Sequence, residues 1–155
     1  MIIQRVNRSD AEKIKLSFHN VDADSVTTGM GVRWVGGAAG EIVSADGISG
    51  VKITADSQMP NFAGIAEQDI PTDGYGLLVA WGYVNSILLS AEANKTIGIT
   101  GINTSFLKVG AMAGSFTSTL APEALSTFAS RYVQNFVTTN ISGGLNYAKG
   151  FVRGM

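Results

Sequence analysis

The sequence predicts a mainly β fold: a sandwich or barrel of about eight to ten short strands, with one amphipathic helix near the C-terminus. Three observations lead there. Nineteen glycines punctuate the 155 residues. Between them lie short runs rich in valine, isoleucine, threonine and aromatics, with turn signals about every 8 to 12 residues, the spacing of sandwiches and barrels. Apolar and polar residues alternate within these runs, the period of a strand with one buried face.

Residues 12–19 open the series. Ile14, Leu16 and Phe18 fall on one face and Lys13, Lys15, Ser17 and His19 on the other, a half-buried strand. Further strands are expected at residues 30–35, 41–44, 50–54, 62–66, 76–84, 86–90, 96–100, 105–109 and 112–117. Asp46-Gly47 and Asp73-Gly74 mark turns in which glycine supplies the positive φ. The clearest β element runs from Phe62 to Val84, where two strand-forming runs flank the turn Pro71-Thr72-Asp73-Gly74.

One segment has a different period. From Ala121 to Val137, apolar residues fall at Leu125, Phe128, Ala129, Tyr132, Val133 and Phe136. Spacing by threes and fours is one face of an amphipathic helix. Pro122 suits the first helical turn, and Glu123 there complements the helix dipole. Gly143-Gly144 then makes a hinge, and Leu145 to Val152 reads as a last strand. Residues 1–155 read as a single β-rich domain, with residues 1–11 able to form an extended N-terminal arm.

Charged residues make up only 15% of the chain, against about 25% in ordinary soluble domains. No run approaches the roughly 20 consecutive apolar residues of a membrane span. The best candidate, Gly76 to Leu89, is too short and is interrupted by Gly82, Asn85 and Ser86. A low-charge chain without a span is expected to hide surface in a homo-oligomer or a larger assembly, because obligate interfaces are more apolar than monomer surfaces. Eleven basic and twelve acidic residues leave a net charge of −1, which argues against nucleic acid as a partner. The absence of cysteine excludes a disulfide scaffold and thiolate metal sites. The amino end, MIIQRVNRSDAEK, lacks the apolar core of a secretory signal.

Catalytic constellations are not evident. The one histidine, His19, reads as an exposed strand-end residue, and no serine sits in a G-x-S-x-G elbow. Glu67, Asp69 and Asp73 lie close in sequence, but their turn explains them as solvent-facing corner residues, and Asp22 and Asp24 read the same way. The glycine clusters from Gly29 and Gly36 lack the Lys-Ser/Thr pair of a phosphate loop and read as hairpin turns. No cofactor or metal is implied. The aromatics Trp34, Trp81 and Tyr83 stand out; Trp81 and Tyr83 share a face at period two. Core or subunit-interface packing is their favoured use, and stacking on sugar rings is the alternative.

Four phrases carry a resemblance: GIAEQDIP (Gly64 to Pro71) with DGYG (Asp73 to Gly76), then LLVAWGYV (Leu77 to Val84), and a closing YAKGFVRGM (Tyr147 to Met155). In this order they are similar to the small capsid decoration, or cement, proteins of tailed bacteriophages, over residues 12–155. The resemblance implies a non-enzymatic structural virion protein, assembled in the host cytoplasm. It would bind the outside of an icosahedral shell and cement neighbouring major capsid subunits, as a homo-oligomer with a trimer favoured. A carbohydrate- or host-receptor-binding β module, or a tail or connector protein, is the alternative. The amino arm, Ile2 to Phe18, would add a strand to an exposed capsid sheet edge, with Arg5, Arg8, Lys13 and Lys15 facing acidic capsid surface. The partner-binding candidates are these four cations with Phe18, Trp34, Trp81, Tyr83, Phe151 and Arg153.

Overall fold

A computed structural model describes residues 13–36, 46–90, 96–97, 106–110, 112–118, 132–135, 139–140 and 146–154. The fold is mainly β. In chain order the strands are β1 (Lys13–Asn20), β2 (Gly31–Trp34), β3 (Ser49–Lys52), β4 (Phe62–Ala66), β5 (Tyr75–Leu89) and β6 (Thr96–Ile97). They continue with β7 (Phe106–Val109), β8 (Phe116–Ser118), β9 (Tyr132–Asn135), β10 (Thr139–Asn140) and β11 (Asn146–Arg153). A short 3-10 helix, Asp56–Asn61, precedes β4.

Nine strands form one sheet in the order β1-β3-β2-β4-β5-β11-β9-β7-β8, and two further pairings, β1–β5 and β5–β8, close it on itself twice. The result is two five-stranded rings that share β5. In the first, β1, β3, β2 and β4 lead back to β5; in the second, β11, β9, β7 and β8 do. Each ring contains one parallel contact, β1 with β3 and β5 with β8, and its other pairings are antiparallel. β6 and β10 form a separate two-stranded sheet.

Each ring has its own hydrophobic cluster. Phe18, Val26, Val32, Ala63, Ala66, Ile70 and Leu78 fill the first, with Met30 and Trp34 packed against it. The second gathers Phe62, Ile65, Val79, Val84, Ile87, Leu89, Phe116 and Val152, among others. Paired across the two strands, Ile65 and Val79 belong to one cluster and Ala66 and Leu78 to the other. The irregularity in β4 opposite Val32 and Arg33 lets Phe62, three residues from Ile65, join the same cluster as Ile65. β4 is therefore buried at all five positions, since both of its faces are covered. Gly64 at its centre admits β5 at close range, and a Cβ there would run into the Val79 carbonyl.

Several expected elements differ. The runs at 76–84 and 86–90 are one continuous strand, because β11 shifts register between Ala148 and Gly150 and so accommodates Asn85 and Ser86 as an irregularity within β5. Among the described residues the C-terminal helix is not seen. Within its expected span Tyr132–Asn135 is β9, hydrogen-bonded between β11 and β7; the rest of 121–137 lies outside the described residues. Tyr132 and Val133 fit a helical stripe and a strand equally well, and sheet pairing on both sides decides between them. The expected strand at 41–44 also lies outside the described residues.

Of the two turns, Gly47 carries a φ of 72°, as glycine should. At Asp73-Gly74 it is Asp73 that takes the left-handed conformation, with φ 57°. Aspartate tolerates that region better than most residues. Gly74 is instead pressed against Pro71, whose Cγ lies 2.7 Å from where a Cβ would stand.

Candidate functional site

The long antiparallel pairing of β5 with β11 builds the surface of interest. Along β11 the even positions Ala148, Gly150 and Val152 are buried, and Tyr147, Lys149, Phe151 and Arg153 turn outward. Along β5, Gly82 and Val84 are buried, and Trp81, Tyr83 and Asn85 turn outward. Register then places Phe151 opposite Tyr83 and Arg153 opposite Trp81. On the other side of β5, Ile14 of β1 lies opposite Trp81 and is 42% exposed.

The outcome is a half-exposed aromatic face edged by cations. Trp81 and Phe151 meet edge to face, with ring centroids 5.0 Å apart and planes at 86°. That geometry sets the positive ring edge on the negative ring face and holds both rings in one orientation. Ile14 and Tyr83 extend the apolar surface, and Arg153 and Lys149 are exposed beside it. Tryptophan, tyrosine and arginine on a rigid support are the residue types that dominate protein–protein hot spots.

Four of the residues singled out in the sequence, Trp81, Tyr83, Phe151 and Arg153, are thus brought together. The others that the structure describes are placed elsewhere. Phe18 is completely buried in the first core, where it packs on Trp34 at 6.2 Å, so it cannot meet a partner. Trp34 is half-buried against that same core. Lys13 and Lys15 face Glu67 of this chain, at 3.8 and 2.7 Å. Arg5 and Arg8 lie outside the described residues. The stretch Lys13 to Phe18 of the expected arm pairs with β5 along one edge, and β1 meets β3 on the other only at His19 and Asn20. Lys149 and Ile14 complete the face; the period-two alternation of NYAKGFVR was the available signal for Lys149.

His19 departs from its reading as an exposed strand end. Its side chain is only 15% exposed. Asp73 Oδ1 lies 2.9 Å from its Nε2 and Ser49 Oγ lies 3.1 Å from its Nδ1. A serine, a histidine and an aspartate in sequence of contact invite a catalytic reading. But Ser49 is buried and donates its hydroxyl proton to Asp46 Oδ2 at 2.5 Å, away from the imidazole. The group serves to fasten two turns to the end of β1. The remaining acids are likewise occupied. Glu67 holds the two lysines, and Asp69 accepts from the Thr28 amide at 2.7 Å and its hydroxyl at 2.9 Å. Those two bonds hold the Asp69 carboxyl below its ordinary value. Asp22 and Asp24 flank Lys52 at 3.8 and 3.5 Å.

Among the described residues, no three histidine, cysteine, aspartate or glutamate side chains are placed to hold a metal ion, and no helix is long and apolar enough to cross a membrane. No protein family matches the chain, and no curated protein matches it.

Proposed function

We propose that this chain is a structural virion protein that binds the outer surface of an icosahedral phage capsid and cements neighbouring major capsid subunits. The observation that carries the reading is the aromatic face of Trp81, Tyr83 and Phe151, edged by Arg153 and Lys149 on the rigid β5–β11 pair. Rigid aromatics lose little side-chain freedom on docking, so most of their burial is realised as affinity. The low charge of the chain and the similarity of GIAEQDIP, DGYG and GFVR to capsid decoration proteins support the same reading. On a shell the contact recurs at every equivalent position, so a modest affinity per site adds up through multivalency.

The test is co-sedimentation of the purified protein with expanded phage capsids that lack a decoration protein, alongside light scattering to give its solution mass. Saturable binding at a fixed number of copies per capsid, lost in Trp81→Ala, supports the proposal. Absence of binding to any such shell overturns it. Glycan binding lost in the same variant would move the face to the receptor-binding alternative.

A further inference from the structure

A second exposed sheet face lies at the other end of β5. We propose that the surface around Tyr75 and Leu77 docks a lysine- or arginine-bearing segment of a partner protein. For its biological meaning this rests on the cement reading: a protein that ties two neighbours together must grip twice, and the Trp81 face supplies one grip.

Tyr75 and Leu77 are two apart in β5 and share a face, and they are 67% and 39% exposed. Tyr75 is not a loose side chain. Its ring stacks on His19 with centroids 4.4 Å apart and planes 11° apart, and the backbone pairs the two residues as well. One side of the phenol ring is thereby covered, and its high exposure leaves the other side to solvent. His19 is itself fixed by Asp73 and Ser49, so the ring is held in place before any partner arrives.

The rim decides the chemistry of the occupant. Asp73 and Asp46, the two carboxylates nearest the stack, are 87% and 44% exposed. The neighbouring turn of residues 21–25 is joined to the Asp73 turn by a hydrogen bond from Thr72 Oγ1 to the Ala23 carbonyl, and its Asp22 and Asp24 are spent on Lys52. Lys52, set against those two aspartates, is almost fully buried. Lys15, further along the same face of β1, is engaged by Glu67. An apolar strip with a pre-set aromatic ring and an acidic rim complements an amphipathic cation. Its charged head would lie over the tyrosine face beside Asp73, with its aliphatic stem along Leu77. The sign is opposite to that of the Trp81 face, which carries Arg153 and Lys149, so the two grips select different surfaces.

The experiment titrates the purified full chain with a short arginine–leucine peptide and with its glutamate–leucine counterpart, following backbone amides by NMR. Expected are saturable shifts centred on Tyr75, Leu77 and Asp73 for the arginine peptide alone. The affinity should fall roughly threefold to tenfold in Tyr75→Leu, a few-fold in Asp73→Asn, and remain in Tyr75→Phe, which keeps the ring. The Tyr75→Phe protein also guards against a folding defect at this position. No binding, equal binding of the glutamate peptide, or indifference to Tyr75→Leu overturns the proposal. Oligomers that dissociate in Tyr75→Leu would make the occupant a second copy of this chain and overturn the assignment to another protein. No capsid enters the titration, so this surface and the Trp81 face can each fail alone.

Discussion

Leu78 and Val79 are consecutive in β5, are both buried, and belong to different hydrophobic clusters. The strand that carries them is a wall with a core on either side. Removing either side chain opens a cavity in one ring while leaving the other ring's packing in place, yet both rings depend on the same backbone. Leu78→Ala is expected to cost about 2 to 5 kcal/mol, and Val79→Ala somewhat less. Both should shift the midpoint of a single cooperative unfolding transition in denaturant. Two separate transitions in either variant would show that the rings fold independently.

Gly64 marks a close approach of β4 to β5, and alanine there would meet the Val79 carbonyl and the Ala80 backbone. Backbone atoms cannot rotate out of the way as a side chain can. Gly64→Ala is expected to lose about 1 to 3 kcal/mol, or roughly 2 to 10 °C in melting temperature. Calorimetry of the variant checks this, and an unchanged melting temperature would mean the two strands can separate at little cost.

Asn20 is completely buried, and its amide nitrogen lies within hydrogen-bond distance of the carbonyls of Asp24, Ile70 and Pro71, at 3.0, 3.2 and 3.1 Å. Its side-chain oxygen accepts from the Asp22 amide. Asn20→Ala strands several polar groups and should cost about 2 to 5 kcal/mol, given 1 to 3 for each unsatisfied buried group. Asn20→Asp keeps the shape but has no proton to donate, so it should be damaging as well. Denaturant titration of both variants is the measurement, and a stable Asn20→Asp protein would refute the donor role.

The Asp69 carboxyl is held below its ordinary value by the Thr28 amide first and the Thr28 hydroxyl second. A carboxylate with a folded value below its unfolded one contributes stability above the unfolded value, and that contribution is lost as pH falls through the folded one. The wild-type protein should therefore lose stability on acidification below the ordinary carboxylate range more steeply than Asp69→Asn. Parallel acid titrations of melting temperature compare them, and identical slopes would contradict the coupling.

On the Trp81 face, Trp81→Ala and Phe151→Ala should each weaken partner binding by about tenfold or more. Because the two rings pack on one another, the double variant should lose less than the sum of the singles. Sedimentation with capsids gives the three values, and strict additivity would argue that the rings act separately.

Local signals carried part of this fold. The run FAGIA was legible as a strand at residues 62–66 because strand-forming residues stand between Pro60-Asn61 and the acid Glu67. Alternation likewise found β1 and β11. What alternation does not say is which face meets water: Phe18 was placed with surface candidates and lies in a core, and Ile14 on the same face is exposed. The convergence of Trp81, Tyr83, Phe151 and Arg153 needs the pairing of β5 with β11, two strands distant in the chain. No local pattern encodes that register. The stack of His19 on Tyr75 and the role of Asn20 arise from the same kind of long-range contact.

The sharing of β5 also sets an order of events. The partners that close the first ring, β1 through β4, all precede β5 in the chain, whereas those that close the second all follow it. As the chain is synthesised, the first barrel can assemble as soon as β5 is released, while half of β5 waits with one flank unpaired until β11 appears. Slow closure of such distant pairings is expected on topological grounds. The waiting flank includes Trp81 and Tyr83, so the same strand that later meets a partner passes through a stage when it is most open to the wrong one.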